Sequence, residues 1–316
     1  MKKRYIIAGI IIFLILFLLI IKNNDNTSLI IERESKIPLD AVKMTPETDD
    51  HPPILHSSEY KNSVPLDSIN SAGAEDSPFI PLDRNEIYFF FTPDVRVPVE
   101  KQILDEVTGI WFSKYEEGVW QKPERVVLQD KGKLAGDGCE FVKGDFMLFC
   151  SVREGYTGIN WFSSDWDAKK QKWTDWKNAD FNPEYEVGEL HIYKDELYYH
   201  SSRAGGKGNL DIWMLKNINS KWENPVNIEI VNSPESEGWP YITPDGKELW
   251  FTRFYQGSPA VFRSKRINGN WQEPELIISQ FAGEPTLDSN GNIYFVHHFY
   301  KDSKMIEADI YVAYKK

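Results

Sequence analysis

From residue 64 onward the chain alternates short apolar runs with polar turns, and one run recurs five times. It is a triplet of large apolar residues: Ile87-Tyr88-Phe89, Met147-Leu148-Phe149, Leu197-Tyr198-Tyr199, Leu249-Trp250-Phe251 and Ile293-Tyr294-Phe295. The third residues of successive triplets stand 60, 50, 52 and 44 positions apart. Aromatic and aliphatic runs of this length, bounded by turn residues, are strand-like. A second apolar marker follows in each copy: Trp111-Phe112, Trp161-Phe162, Ile212-Trp213, Val261-Phe262 and Ile310-Tyr311. Then comes a Trp-led polar stretch, WQKP (120–123), WENP (222–225) and WQEP (271–274), with WTDW (173–176) as a looser version. The fifth copy runs to Tyr311-Val312-Ala313 and lacks that element.

Strand-rich repeats of about 40–50 residues are the mark of a radial array. The expected fold is all-β, a five-bladed β-propeller over residues 63–316 with four antiparallel strands per blade. The fifth blade is one strand short, and Val64-Pro65-Leu66 is the segment expected to complete it. Closure of that kind removes the free sheet edge that templates aggregation.

Ahead of the repeats, residues 5–21 form an apolar run of 17 preceded by Lys2-Lys3-Arg4. No small-x-small site and no Cys follows it, so residues 1–22 are expected to be an uncleaved signal anchor, a transmembrane helix. A cleaved signal peptide is the alternative. The expected location is therefore the cell membrane, single-pass, with the propeller on the extracytoplasmic side. Residues 23–62 are polar, carry several prolines and have no period, as in a tether, with the later part free to pack on the propeller. A net charge of −12 argues against nucleic acid as a partner. The only two cysteines, Cys139 and Cys150, fall on one hairpin. With a turn at Lys143-Gly144 they are diagonal neighbours, which favours two buried thiols; a disulfide needs a shifted register or a bulge.

The chemistry-bearing residues collect at one place in the repeat. The first strands begin GAEDSPF (73–79), DGCEF (137–141), VGEL (187–190), SEGWP (236–240) and AGEP (282–285). The second strands end at Arg153, Arg203 and Arg253, at His200, and in the fifth copy at His297 and His298. Antiparallel pairing brings these ends together, so Glu140–Arg153, Glu189–Arg203 and Glu237–Arg253 pairs are expected around a central channel. Repeated pairs of this sort brace a structure as readily as they bind. The candidate ligand-binding residues are thus Arg153, Arg203, Arg253, His200, His297 and His298. No metal and no cofactor is expected, because neighbouring strand residues such as His297 and His298 point to opposite faces and a site needs three or four converging ligands.

The run ELYYHSSRAGGKGNLDIWML (196–215), WENPVNI (222–228) and PYITPDGKELWFTR (240–253) resembles the WD40-like β-propeller repeat of TolB-like proteins. The resemblance covers roughly residues 64–316, is strongest in copies three and four, and implies an exported propeller that acts as an interaction module. Two functions follow. One is a membrane-anchored extracytoplasmic binding module for a protein or glycan at the face of first-strand starts and second-strand ends. The alternative is a glycoside hydrolase with catalytic carboxylates among Asp76, Glu140, Glu189, Glu237 and Glu284. The expected arginine partners argue against the alternative, since a paired carboxylate is a poor general acid.

Overall fold

Each apolar triplet lies in the middle strand of an antiparallel meander, where both faces of the strand are covered. The computed structural model describes residues 32–316. The anchor expected over residues 5–21 lies outside the described residues. Among the described residues no helix is long and apolar enough to cross a membrane.

Two short strands, β1 (Ile54–Leu55) and β2 (Val64–Pro65), precede five strand units. Unit 1 holds β3 (Ala74–Phe79), β4 (Glu86–Thr92) and β5 (Gly109–Glu116), with the outer pieces β6 (Val119–Trp120) and β7 (Glu124–Arg125). Unit 2 holds β8 (Gly138–Lys143), β9 (Phe146–Ser151), β10 (Asn160–Asp167), β11 (Lys172–Trp173) and β12 (Lys177–Asn178). Unit 3 holds β13 (Leu190–Tyr193), β14 (Glu196–Ser201), β15 (Asp211–Ile218) and β16 (Lys221–Asn227). Unit 4 holds β17 (Glu237–Ile242), β18 (Glu248–Tyr255), β19 (Ser258–Ile267), β20 (Asn270–Trp271) and β21 (Glu275–Ser279). Unit 5 holds β22 (Ala282–Leu287), β23 (Ile293–Lys301) and β24 (Lys304–Ala313). The first strands touch in succession, β3 to β8, β8 to β13, β13 to β17 and β17 to β22, and β22 returns to β3. Val64 and Pro65 pair with Val312 and Tyr311, so β2 covers the open edge of β24.

The first strands share one register anchor, and in four of the five units the pairing breaks just before it. Phe79, Phe141, His191, Tyr241 and Thr286 each lie opposite the middle residue of a triplet. Just before them the pairing shifts in units 1, 2, 4 and 5, and Ser77, Cys139, Trp239 and Glu284 there adopt φ between +48° and +56°. Left-handed backbone at a non-glycine residue costs roughly 1–3 kcal/mol, and bulges of this kind re-aim side chains.

The same bulge corrects the cysteine expectation. The turn falls at Gly144-Asp145, one residue later than the sequence reading placed it, so Lys143 pairs with Phe146. The later turn moves Cys139 up beside Cys150, and the two form a disulfide with Cα atoms 5.4 Å apart.

The stretch read as a polar tether is, from Arg33 on, part of the same compact unit as the repeats. It lies along the strands as a belt and supplies charges that the outermost copies lack. Units 2 and 4 carry their own buried ion pair: Arg153 lies 2.5 Å from Asp137, and Arg253 lies 2.7 Å from Glu237. Each guanidinium also covers the aromatic rings of its own sheet, Phe149 and Phe162 in one case and Phe251 and Phe262 in the other. Unit 1 has Glu75 at the equivalent position but Thr92-Pro93-Asp94 after its triplet strand. Arg33 fills the gap from the belt, 3.1 Å from Glu75, over Phe89 and Phe91, and donating to the Ile69 carbonyl at 2.8 Å. Lys43 likewise reaches Glu307 and Asp309 on β24, and β1 adds to β21.

Removing one member of a buried pair leaves the other charge without a partner, at a cost of about 3–5 kcal/mol. Arg33→Ala is therefore expected to destabilise by about that much in urea denaturation. Arg96→Ala, at an exposed pair with Asp40, is expected to leave the unfolding curve nearly unchanged.

Candidate acidic channel mouth

Counting back two residues from each register anchor gives Ser77, Cys139, Glu189, Trp239 and Glu284, one from each unit. All five line a single narrow opening between the first strands, together with Glu140. In units 1, 2, 4 and 5 a bulge falls at this position, and the identity of one repeat position decides what the channel presents. Further in, Phe79, Phe141, His191 and Tyr241 close the channel. Phe79 and Phe141 meet edge-on with ring centres 5.5 Å apart, and His191 lies 4.6 Å from Tyr241. Burial among these rings pushes the His191 imidazole down to about 3. Above this plug the cavity measures about 40 Å³.

Three of the five acidic candidates, Glu140, Glu189 and Glu284, line this mouth, and Asp76 lies beside Glu284. Donor atoms of Asp76, Glu284 and His298 all lie within 4.8 Å of one another. The His298 Nε2 is 3.8 Å from an Asp76 oxygen. Ser77 donates its hydroxyl to Glu284 at 2.5 Å, and the Thr252 hydroxyl accepts from the Glu284 amide at 2.7 Å. Glu189 and Glu140 line the opening beside them. Glu140 is 5% exposed, and neither of its carboxylate oxygens has a hydrogen-bond partner among the described residues.

Asp76 occupies a position where the other units have glycine. Gly138 packs against Phe90, Gly238 against His200 and Gly283 against Thr252, each on the second strand of the preceding unit. Unit 1 instead turns a carboxylate toward the second strand of unit 5. The glycines are enforced by close packing: a Cβ on Gly188 would lie 2.2 Å from the His200 ring.

The fifth candidate, Glu237, is elsewhere, held by Arg253 and by the Ser233 hydroxyl. Two of the three expected ion pairs do not form. Arg153 takes Asp137 rather than Glu140, because the bulge carries the carboxylate three residues earlier toward the second-strand end while Glu140 lines the channel. Arg203 lies over Trp213 and Tyr185, at 4.8 and 5.5 Å, instead of meeting Glu189. His200 is wedged between β13 and β17 and accepts from the Trp239 amide at 3.2 Å. Burial drives it down to about 4, so it is neutral. His297 faces away from the mouth and bonds to Asp49 of the belt at 2.8 Å. Sequence reasoning missed Asp137, Ser77 and Trp239, all of which repeat alignment on the bulge identifies. Asp49 and Arg33 carry no such signal.

With no lysine or arginine lining the mouth, Glu140, Glu189 and Glu284 are all raised above the usual carboxylate range. Burial above all, with Glu189 and Asp76 nearby, pushes Glu140 up to about 8 against the more distant Arg125. Burial and Asp76 raise Glu189 to about 8 as well. Glu284 is raised well above the usual range by burial, Asp76 and Glu189.

No protein-family model matches the chain, and no curated protein matches it by sequence. Among solved structures it is similar to an endo-arabinase from Bacteroides thetaiotaomicron, with a TM-score of 0.51 and 15% identity over 80% of this chain and 96% of that one. It also matches TolB from Acinetobacter baumannii (TM-score 0.43, 14% identity, 78% of this chain and 56% of that one). A third match is the GH43B protein of a Bacteroides ovatus xyloglucan locus (TM-score 0.49, 12% identity, 76% and 52%). The chain spans about half the length of the last two. At such identity the likeness concerns the fold alone, and the fold is β-propeller-like.

A carboxyl raised in the folded state binds more protons there than in the unfolded chain between pH 4.5 and about 8. Its favourable contribution is complete below pH 4.5 and is lost as pH rises through 8. His200 has the opposite sign: its contribution is complete above pH 6.5 and fades as pH falls toward 4. Glu140→Gln cannot ionise, so its melting temperature is expected to gain on wild type by several degrees between pH 5 and pH 9. A difference that stays constant with pH in thermal melts would show that Glu140 is already charged.

Proposed function

We propose that the five strand units are five blades of a propeller of the TolB-like kind, tethered at the extracytoplasmic side of the cell membrane by an anchor over residues 5–21. In this reading the chain is a binding module that holds a protein or glycan on the face where first strands begin and second strands end. The observation that carries it is the size of the mouth. A cavity of about 40 Å³ is far below the 300–1,000 Å³ typical of pockets that enclose a small molecule. A sugar ring or side chain therefore rests across the mouth, against Trp239 and the rim, rather than entering a catalytic cleft.

One observation favours the second reading, hydrolysis of a glycoside. Glu140 and Glu189 lack arginine partners and are raised to about 8, which suits a general acid, while Asp76 and Glu284 supply further carboxyl groups nearby.

A glycan array and a panel of chromogenic glycosides, run on the full chain in detergent, separate the two. Binding without turnover is the expected outcome. Hydrolysis that disappears in Glu284→Gln or Asp76→Asn would replace the binding reading with the enzyme.

A further inference from the structure

We infer that the channel mouth is a divalent-cation site, with Asp76, Glu284 and His298 as its protein ligands and Glu140 and Glu189 as the charge around it. This inference stands whether the mouth binds or cleaves a ligand.

The geometry supplies the first argument. Two carboxylates and one imidazole, contributed by units 1 and 5, bring a donor atom each within 4.8 Å of the other two. That is the spread of ligands around one ion at bond lengths of about 2.0–2.6 Å. Of the three, Glu284 also lines the opening of about 40 Å³, beside Glu140 and Glu189.

The second argument is the unanswered polarity of the walls. The residues lining the mouth include three glutamates and no lysine or arginine. Glu140 lines this opening, is 5% exposed, and has no hydrogen-bond partner for either carboxylate oxygen among the described residues. The Nδ1 of His298 is also buried without a partner among the described residues. A buried carboxyl group that lacks a partner is expensive, and such groups are normally paired or turned to a metal.

The third argument is the departure from the repeat. Units 2 to 5 have glycine at the position of Asp76, packed close to a neighbouring strand. Unit 1 alone places a carboxylate there, beside the imidazole of unit 5. Glu284 is aimed inward by left-handed backbone, φ +56°, and held by Ser77. The broken pattern at Asp76 thus falls beside Glu284 and His298, the two other members of the cluster.

Mixed oxygen and imidazole donors suit Mn²⁺ or Zn²⁺ over Mg²⁺, which prefers oxygen and retains its water. The test is equilibrium dialysis of the EDTA-stripped full chain against Mn²⁺, Zn²⁺, Ca²⁺ and Mg²⁺, with thermal melts alongside. One Mn²⁺ or Zn²⁺ per chain and a raised melting temperature are expected. Asp76→Gly, which installs the residue of the other four units, and His298→Ala should each weaken binding at least tenfold. Their ion-free melting curves report whether the variants are folded; if His298→Ala is not, Asp76→Gly alone carries the comparison. Absence of any bound ion overturns the site, as does binding that Asp76→Gly leaves intact. So does a chain that takes only Ca²⁺ or Mg²⁺ and is indifferent to His298→Ala.

Discussion

The break in register on four of the five first strands is the constraint from which the rest of the architecture follows. At Ser77, Cys139, Trp239 and Glu284 the chain enters the left-handed region and returns, and side chains two positions apart are sent in opposite directions. The earlier one, Glu75, Asp137 or Glu237, faces outward to a guanidinium lying over the rings of its own sheet. The later one, Ser77, Cys139, Glu189, Trp239 or Glu284, faces the channel. Bracing and site are therefore separate layers built from residues two positions apart. A sequence reading that treats the acidic residues of the first strands as equivalent merges the two layers.

The ring is also not self-sufficient. Units 2 and 4 contain both halves of the Arg–carboxylate pair; unit 1 contains only the acid, and unit 5 presents Glu307, Asp309 and His297 to partners it does not carry. The belt before the repeats supplies Arg33, Lys43 and Asp49 to these places, and β2 completes the last sheet. Burying a charge is tolerable only with a partner, so the belt is as much a part of the folded unit as any strand. Its cations compensate acids at the first and last copies, where a closed ring made from an open chain has its seam.

Much of this was legible in the sequence. The triplets mark the middle strands because a strand covered on both faces must be apolar throughout. Val64-Pro65 was identifiable as the closing strand because the fifth copy lacks one. The disulfide was not, since it hinges on a turn one residue later than expected, and register has a period of two. At the mouth, Asp76, Glu140, Glu189 and Glu284 were named, whereas their freedom from arginine was not. That depended on which side of the bulge each residue falls. The membrane anchor expected over Tyr5–Ile21 belongs to the sequence reading alone and lies outside the described residues.

By itself the sequence determined an all-β repeat, its strand periodicity, its acidic surface and the part of the repeat where chemistry gathers. These are properties of local pattern: burial on both faces, turn residues, and charge at strand ends. Only the tertiary structure decided which acids are braced and which stand unpartnered, that Arg33 completes unit 1, and that Asp76 of the first copy meets His298 of the last. Those contacts join residues tens to hundreds of positions apart, across a ring closure and a backbone bulge. No local pattern encodes such neighbours, because they exist only once the two ends of the array have been brought together.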